Sequence, residues 1–412
     1  MGWLVGGGLA GICMGLPAPP FQTGSHEHFS PHTTPMKTHH RFAFLLALLA
    51  AAPNVRAEVK PNSLFTNGAV LQQGMALPVW GTAKDGEKVT VQFDGDSAET
   101  VAKDGKWLVR LKPHKAGGPF TLTVTGENAV TANNVLVGEV WVCSGQSNMA
   151  FTFGGAANAA AEAPKADYPK LRMFTAAHKP SLSPQADAGG TWVECSPKTV
   201  SGFSAVGYFF GRDIQKATGF PVGMIHTSVG GTPAQAWTSQ SGLESDKELQ
   251  HYADSIKQLA AAYPKALESY PKELADYQAK LQQWNESDEG KAYEASVKTW
   301  SEENKKAATE GKPAIRKPQV PPALPKAPPQ PEGGMGTPTV LYNGMVAPLV
   351  PYAIKGVIWY QGESNSGAAK EYRTLFPRMI ADWREKWGEG DFPFLFVQIA
   401  PFQNMSPLRC SR

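Results

Sequence analysis

The stretch Val140-Trp-Val-Cys-Ser-Gly-Gln-Ser-Asn-Met149 decides how this chain is read. An apolar, β-type run stops at a glycine and presents one serine, Ser147. A strand that halts abruptly at Gly-x-Ser is how α/β hydrolases hold a nucleophile at the carboxyl edge of a sheet. Met149 occupies the place of the second glycine of the usual G-x-S-x-G elbow. Taken alone, the segment equally describes a strand-to-helix turn in which Ser147 caps a helix.

Two later segments repeat the pattern. Pro221 to Trp237 contains a short apolar strand, Val222 to Val229, that gives way to Gly230-Gly231. Glycines allow a backbone N–H to approach a ligand closely, as an oxyanion donor must, although Gly-Gly-x-Pro is also an ordinary turn. Lys355 to Asn365 is a β-branched and aromatic run ending in Gln361, Gly362, Glu363, Ser364 and Asn365. Gln361 or Asn365 offers an amide N–H to a developing oxyanion, Glu363 offers a carboxylate that orients neighbours, and each is equally a turn-former. Three strands ending in polar, glycine-containing turns fit ligand binding at the carboxyl ends of an open α/β sheet.

In this order, Gly145-Gln146-Ser147-Asn148-Met149, Gly230-Gly231-Thr232-Pro233 with Trp237, and Trp359-Tyr-Gln-Gly-Glu-Ser-Asn365 resemble the blocks of sialate O-acetylesterases. These are a branch of the SGNH hydrolases, flavodoxin-like esterases with a parallel sheet and helices on both faces. The resemblance covers roughly Leu64 to Gln403. It implies that Ser147 is the nucleophile and that Gln146, Asn148, Glu363 and Asn365 support it. The oxyanion hole would combine the N–H of Ser147, an N–H of Gly230 or Gly231 and the Gln361 side chain. It implies an O-acetylated carbohydrate substrate and no cofactor or metal. Acetylated hemicellulose and sialic acid fit the same motifs.

The resemblance also places a catalytic Asp and His beyond the third block. The histidines are His26, His28, His32, His39, His40, His114, His178, His226 and His251, all before it. A serine without an imidazole to take its proton is a poor nucleophile near neutral pH. His226 sits in an apolar strand and reads as a core residue; no histidine is assigned as the base. The ending Gln403 to Arg412 lacks a strand or helix pattern and reads as a premature or frame-shifted terminus. The expectation is therefore an esterase impaired in turnover, or a carbohydrate-binding remnant.

With 412 residues, 42% of them hydrophobic, the chain has enough material for two cored domains. A net charge of +3 and the lack of a basic aromatic patch argue against a nucleic-acid partner. Met36 to Ala57 has the basic and apolar regions of a signal peptide with Val55-Arg-Ala57 as cleavage site, so export to the periplasm or outside is expected and a stable membrane anchor is not. Residues 1–35 then read as upstream translation. In an exported chain Cys143 and Cys195 have the option of pairing; Cys143, in the strand before Ser147, equally suits a buried thiol.

Pattern divides the remainder. Short alternating runs at Ala76 to Gly81, Lys88 to Phe93, Lys106 to Leu111 and Phe120 to Thr125 predict a β-sandwich over residues 58–136. Residues 137–240 and 335–404 form the α/β esterase domain, with helices expected over Ser204 to Lys216 and Tyr372 to Trp387 and a strand over Phe394 to Ile399. Residues 241–334 form an insertion, a helical hairpin followed by a proline-rich connector. Tyr252, Tyr263, Tyr270, Tyr277 and Trp284 recur along it as a packing stripe. It reads as a solvated helical pair or a lid over the site. Residues 405–412 are the aberrant tail. Glycan identity and oligomeric state are not legible.

Overall fold

One strand organises the molecule. In the computed structural model, which describes residues 58–400, β8 runs without interruption from Ala129 to Gly145. Its first half pairs antiparallel with β7 (Gly117–Thr125), and its second half pairs parallel with β11 (Val222–Ser228) and β12 (Gly356–Tyr360). The expected boundary between residues 136 and 137 thus falls inside a strand. Glu58 onward forms one compact unit in which the two modules share β8. The leader, the upstream stretch and the tail from 405 lie outside the described residues.

The amino-terminal module holds β1 (Lys60–Pro61), β2 (Val70–Gln72), β3 (Leu77–Thr82), β4 (Lys88–Phe93), β5 (Asp96–Val101), β6 (Lys106–Leu111) and β7. The β1-β3-β6 sheet packs against the sheet that β5, β4, β7 and β8 form. Alternation does the sorting: Lys106–Leu111 places Trp107, Val109 and Leu111 inward and its other side chains outward.

In the second module β9 (Tyr168–Thr175) and β10 (Trp192–Cys195) form a hairpin, and β9 lies parallel to β11 on the outer side. The parallel strands then run β11, β8, β12 and β13 (Phe394–Phe396). Taken in chain order, these four stand 2-1-3-4, so the connections leave β8 in opposite directions. A doubly wound sheet opens its ligand crevice at such a switch point, above the carboxyl end of the first strand. β8 ends there at Gly145, directly before Ser147. Every residue of β11 and all but one of β12 are buried, as expected for parallel strands covered on both faces.

Among the described residues seven α-helices accompany the sheet: α1 (Ser147–Ala150), α2 (Ala159–Glu162), α3 (Ala205–Thr218), α4 (Gln240–Glu244), α5 (Gln250–Glu286), α6 (Asp288–Thr309) and α7 (Ala369–Trp387). Ser204 caps α3 by accepting a hydrogen bond from Gly207 N at 3.1 Å, and Gly219, with φ of 70°, ends it. Gly211 lets α3 lie close on the sheet: a Cβ there would come within 2.8 Å of Leu171 and Met224 side-chain atoms. On the other side α7 packs Leu375, Met379 and Trp383 under Trp359. Its Asp382, fully buried, accepts from Ser239 N at 2.8 Å and Ser239 Oγ at 2.6 Å and so fixes the start of α4.

The insertion is a helical hairpin, α5 followed by α6. In α5 only Ala253 and Ile256, at its root, are buried, so most of its length is solvated. Tyr263, Tyr270, Tyr277 and Trp284 are half-buried along one face, as a packing stripe requires. The proline-rich segment runs back along the helices, with Tyr263 Oη on Glu332 and Trp300 Nε1 on the Ile315 carbonyl. Both roots end beside the third-motif and second-motif turns. Tyr252 donates to Glu371 at the start of α7, and Thr339 N donates to the Gln235 carbonyl at 2.9 Å.

The expected strand over Phe394 to Ile399 is shorter, three residues, with Leu395, Phe396 and Val397 exposed. Cys143 and Cys195 are both buried free thiols. No helix among the described residues is long and apolar enough to cross a membrane.

Candidate active site

The three motifs converge above the carboxyl ends of β8, β11 and β12. Gly145, with φ of 139°, turns the chain sharply; a Cβ there would collide with the Tyr360 carbonyl. Gln146 N donates to that same carbonyl at 2.9 Å. The Gln146 side chain is buried, and its Oε1 accepts from Gly362 N at 3.3 Å and Ser364 N at 3.2 Å. The first motif is thereby bolted to the third, and Ser147 emerges exposed at the first position of α1.

Gly230 lies beside it. A Cβ on Gly230 would meet Ser147 Cβ at 3.7 Å and Cα at 3.8 Å, so the backbone of the second motif flanks the serine. The N–H groups of Gly230 and Gly231 make no hydrogen bond to another described residue, and that of Ser147 opens a helix where no intrahelical acceptor exists. Unengaged backbone donors beside an exposed hydroxyl are the elements of an oxyanion site. Val229 N donates to Gly145 O at 3.2 Å, and Thr232 Oγ1 donates to Val229 O at 2.7 Å while accepting from Trp237 Nε1 at 3.0 Å. These bonds hold the Gly-Gly turn in place.

A family profile described as carbohydrate esterase, sialic acid-specific acetylesterase, matches residues 137–321 and 335–409. The chain belongs to this family. The sialate O-acetylesterase of Rattus norvegicus is 29% identical over 375 residues, 84% of this chain and 60% of the relative. That of Homo sapiens is 28% identical over 369 residues, 82% of this chain and 56% of the relative. A crystal structure of a carbohydrate acetylesterase from Xanthomonas citri matches with a TM-score of 0.58 and 30% identity, covering 82% of this chain and 60% of that one. The chain thus spans about 60% of the length of the relatives it matches.

Within this sialic acid-specific acetylesterase frame, Gln361 does not take the place expected for it. Its amide Nε2 donates to Asn365 Oδ1 at 2.7 Å and to the Thr232 carbonyl at 3.3 Å, while Oε1 accepts from Tyr372 Oη at 3.0 Å. Both amide hydrogens are engaged inside the protein, so Gln361 braces the Gly-Gly turn through Thr232. Asn365 is also buried, accepting from Ala234 N at 2.8 Å and donating to Gln235 Oε1 at 2.9 Å. Asn148 is exposed beside Ser147, and its Nδ2 donates to Glu363 Oε1 at 2.7 Å.

His226 is buried and hydrogen-bonded to Ser228 Oγ at 2.6 Å. Burial, reinforced by the nearby His178, pushes its pKa down to about 4, so it is neutral at physiological pH. Among the described residues no histidine or carboxylate side chain hydrogen-bonds Ser147. Nor do these residues include a cluster of three or more metal-ligating side chains.

The sequence missed Tyr372, Thr232 and Gln235. Thr232 and Gln235 stand within the second motif, where their hydroxyl and amide were available as a signal. Tyr372 entered only as the first residue of the expected helix over Tyr372 to Trp387, and its position across from Gln361 reveals that its hydroxyl has a partner.

Proposed function

We propose that this chain hydrolyses O-acetyl esters of sialic acids by serine acyl transfer. The observation that carries this reading is the exposed Ser147 hydroxyl set against Gly230, with unengaged N–H groups on both residues. Ser147 Oγ attacks the acetyl carbonyl carbon as a base removes its proton, and the carbonyl oxygen becomes an anion held by the N–H groups of Ser147 and Gly230. Collapse breaks the bond to the sugar oxygen, which leaves as the protonated alcohol. Water then attacks the acetyl-serine, and acetate departs with regeneration of the hydroxyl.

The step requires a base for the Ser147 proton, and the described residues bring no imidazole to it. The same observation favours the second reading, a carbohydrate-binding protein with little hydrolysis. Export rests on the leader-type sequence before Glu58. Acetate release from 9-O-acetylated sialic acid and from acetylated xylo-oligosaccharide, each with the full chain and with Ser147→Ala, tests the function. Ser147-dependent release from the sialic acid supports it; release only from the xylan fragment moves the substrate to hemicellulose. Binding of both without release supports the non-catalytic reading.

A further inference from the structure

A cleft of about 520 Å³ opens where the two modules meet, and no residue of the three motifs lines it. Its size and its place at a module junction are those of small-molecule sites. The amino-terminal module supplies one wall. Alternation along β6 sends Lys106 and Leu108 away from the sandwich core, and Trp80 stands opposite Leu108 in the β3–β6 register, so the three share the outer face. Thr100 and Val101 of β5 extend that wall. Leu108 is 40% exposed and Val101 59%, so neither is accounted for by the sandwich core. The α/β module supplies the facing wall through its loops at residues 184–186 and 347–351.

The walls are fixed to each other by one buried residue. Asn62 N donates to the Trp80 carbonyl at 2.9 Å, while its Nδ2 donates to Ala186 O at 2.9 Å and Pro348 O at 3.0 Å. Gln185 Nε2 is held by Ser181 Oγ at 2.8 Å and Ser183 O at 3.1 Å, so its Oε1 has a set position and no hydrogen bond from a described residue. A cleft held open in this way takes a ligand without first ordering its own walls.

The lining combines an aromatic surface with unengaged polar groups. Trp80 is half-buried and its indole N–H meets no acceptor among the described residues, whereas that of Trp107 donates to Thr82 O at 3.1 Å. The Thr100 hydroxyl is likewise unengaged. Lys88 and Lys112 of the same module pair with Glu99 and Asp96, but Lys106 has no carboxylate partner among the described residues, and no carboxylate lines the cleft. An apolar ligand would leave these groups unpaired. A pyranose offers an apolar C–H face for the indole and a rim of hydroxyls for the polar groups. We propose that this cleft is a second carbohydrate site, separate from Ser147, which takes an oligosaccharide bearing a carboxylate sugar. The sugar ring packs on Trp80, hydroxyls meet Thr100 and Gln185, and the carboxylate pairs with Lys106. This site does not depend on turnover at Ser147.

Calorimetric titration of the full-length chain with sialyllactose and with lactose, neither of which carries an acetyl ester, tests the proposal. Sialyllactose should bind about five-fold more tightly than lactose, and Lys106→Glu should abolish that preference. Trp80→Ala should weaken sialyllactose by about ten-fold. Trp80 also packs edge-on against Phe65, with ring centroids 4.9 Å apart, so the melting temperature of Trp80→Ala is measured first. Should that variant unfold, Lys106→Glu, at an exposed position, decides alone. No binding of either sugar, equal binding of both, or binding that Lys106→Glu leaves unchanged overturns the proposal. Acetate release from 9-O-acetylated sialic acid is followed in the same preparations: its absence removes the hydrolytic reading of Ser147 and leaves the second site standing.

Discussion

Asn148 Nδ2 donates to Glu363 Oε1 at 2.7 Å, which ties the residue after Ser147 to the third motif across 215 positions of sequence. The bond lies at the exposed rim of the site, so its effect on stability is small, about 1 kcal/mol or less. Its effect on activity should be larger, because it sets the orientation of α1 and hence of Ser147. Glu363→Ala and Asn148→Ala are each expected to lower kcat by about ten-fold while leaving the melting temperature within about 3 °C. In a double-mutant cycle the two losses should not add. Additive losses would show that the residues act separately on the substrate.

Gln361 sits at the centre of a buried network, with Thr232, Asn365 and Tyr372 as its partners. Removing its amide leaves these groups without their hydrogen bonds in a buried setting. Gln361→Ala should therefore destabilise the fold by about 2–3 kcal/mol, and Tyr372→Phe by about 1 kcal/mol. Both are measured as a shift in the denaturant midpoint at constant slope. An unaltered midpoint combined with a large loss of kcat would return Gln361 to the oxyanion role that the family resemblance implied.

What could be read from the sequence follows from where the information lies. Lys88–Phe93 and Lys106–Leu111 were found with their observed limits because one-sided burial writes a period of two into the residues. Asp96–Val101, reading Asp-Ser-Ala-Glu-Thr-Val, was missed because this edge strand buries none of its side chains fully. The continuity of β8 was hidden by Asn133-Asn134 and Gly138, which look like punctuation. Gly138 instead permits the close passage of Pro221, whose carbonyl accepts from Glu139 N. Ser147 and Gly230 were legible as functional candidates because each follows directly on the end of an apolar strand, β8 or β11. The bracing role of Gln361 was not, since it depends on Tyr372 and Thr232 arriving from other elements.

Glu389 supplies a pH dependence independent of catalysis. Burial raises its pKa from the ordinary 4.5 to about 7, opposed by the hydrogen bond from Ile354 N and by Arg110. Between these values the folded state binds more protons than the unfolded one, so stability declines as pH rises. The contribution is fully present below about pH 4.5 and lost once pH has passed about 7. Glu389→Gln should flatten this part of the stability profile and raise the melting temperature at pH 8. An identical profile for wild type and variant would mean that Glu389 titrates alike in both states.

If Ser147 has its oxyanion donors but no imidazole within reach, an external base should restore part of the missing step. Added imidazole is expected to raise the Ser147-dependent hydrolysis of 4-nitrophenyl acetate by about ten-fold or more, following the fraction of neutral imidazole. The same addition to Ser147→Ala must give only the solution reaction, which is subtracted. His226→Ala should respond as wild type does, because the His226 ring is buried and bonded to Ser228. A fast rate that imidazole does not increase, together with loss of that rate in one of the histidine variants, would place the proton acceptor within the chain. His226 and His178 would be the first to substitute, because His178 lies near enough to His226 to help push its pKa down.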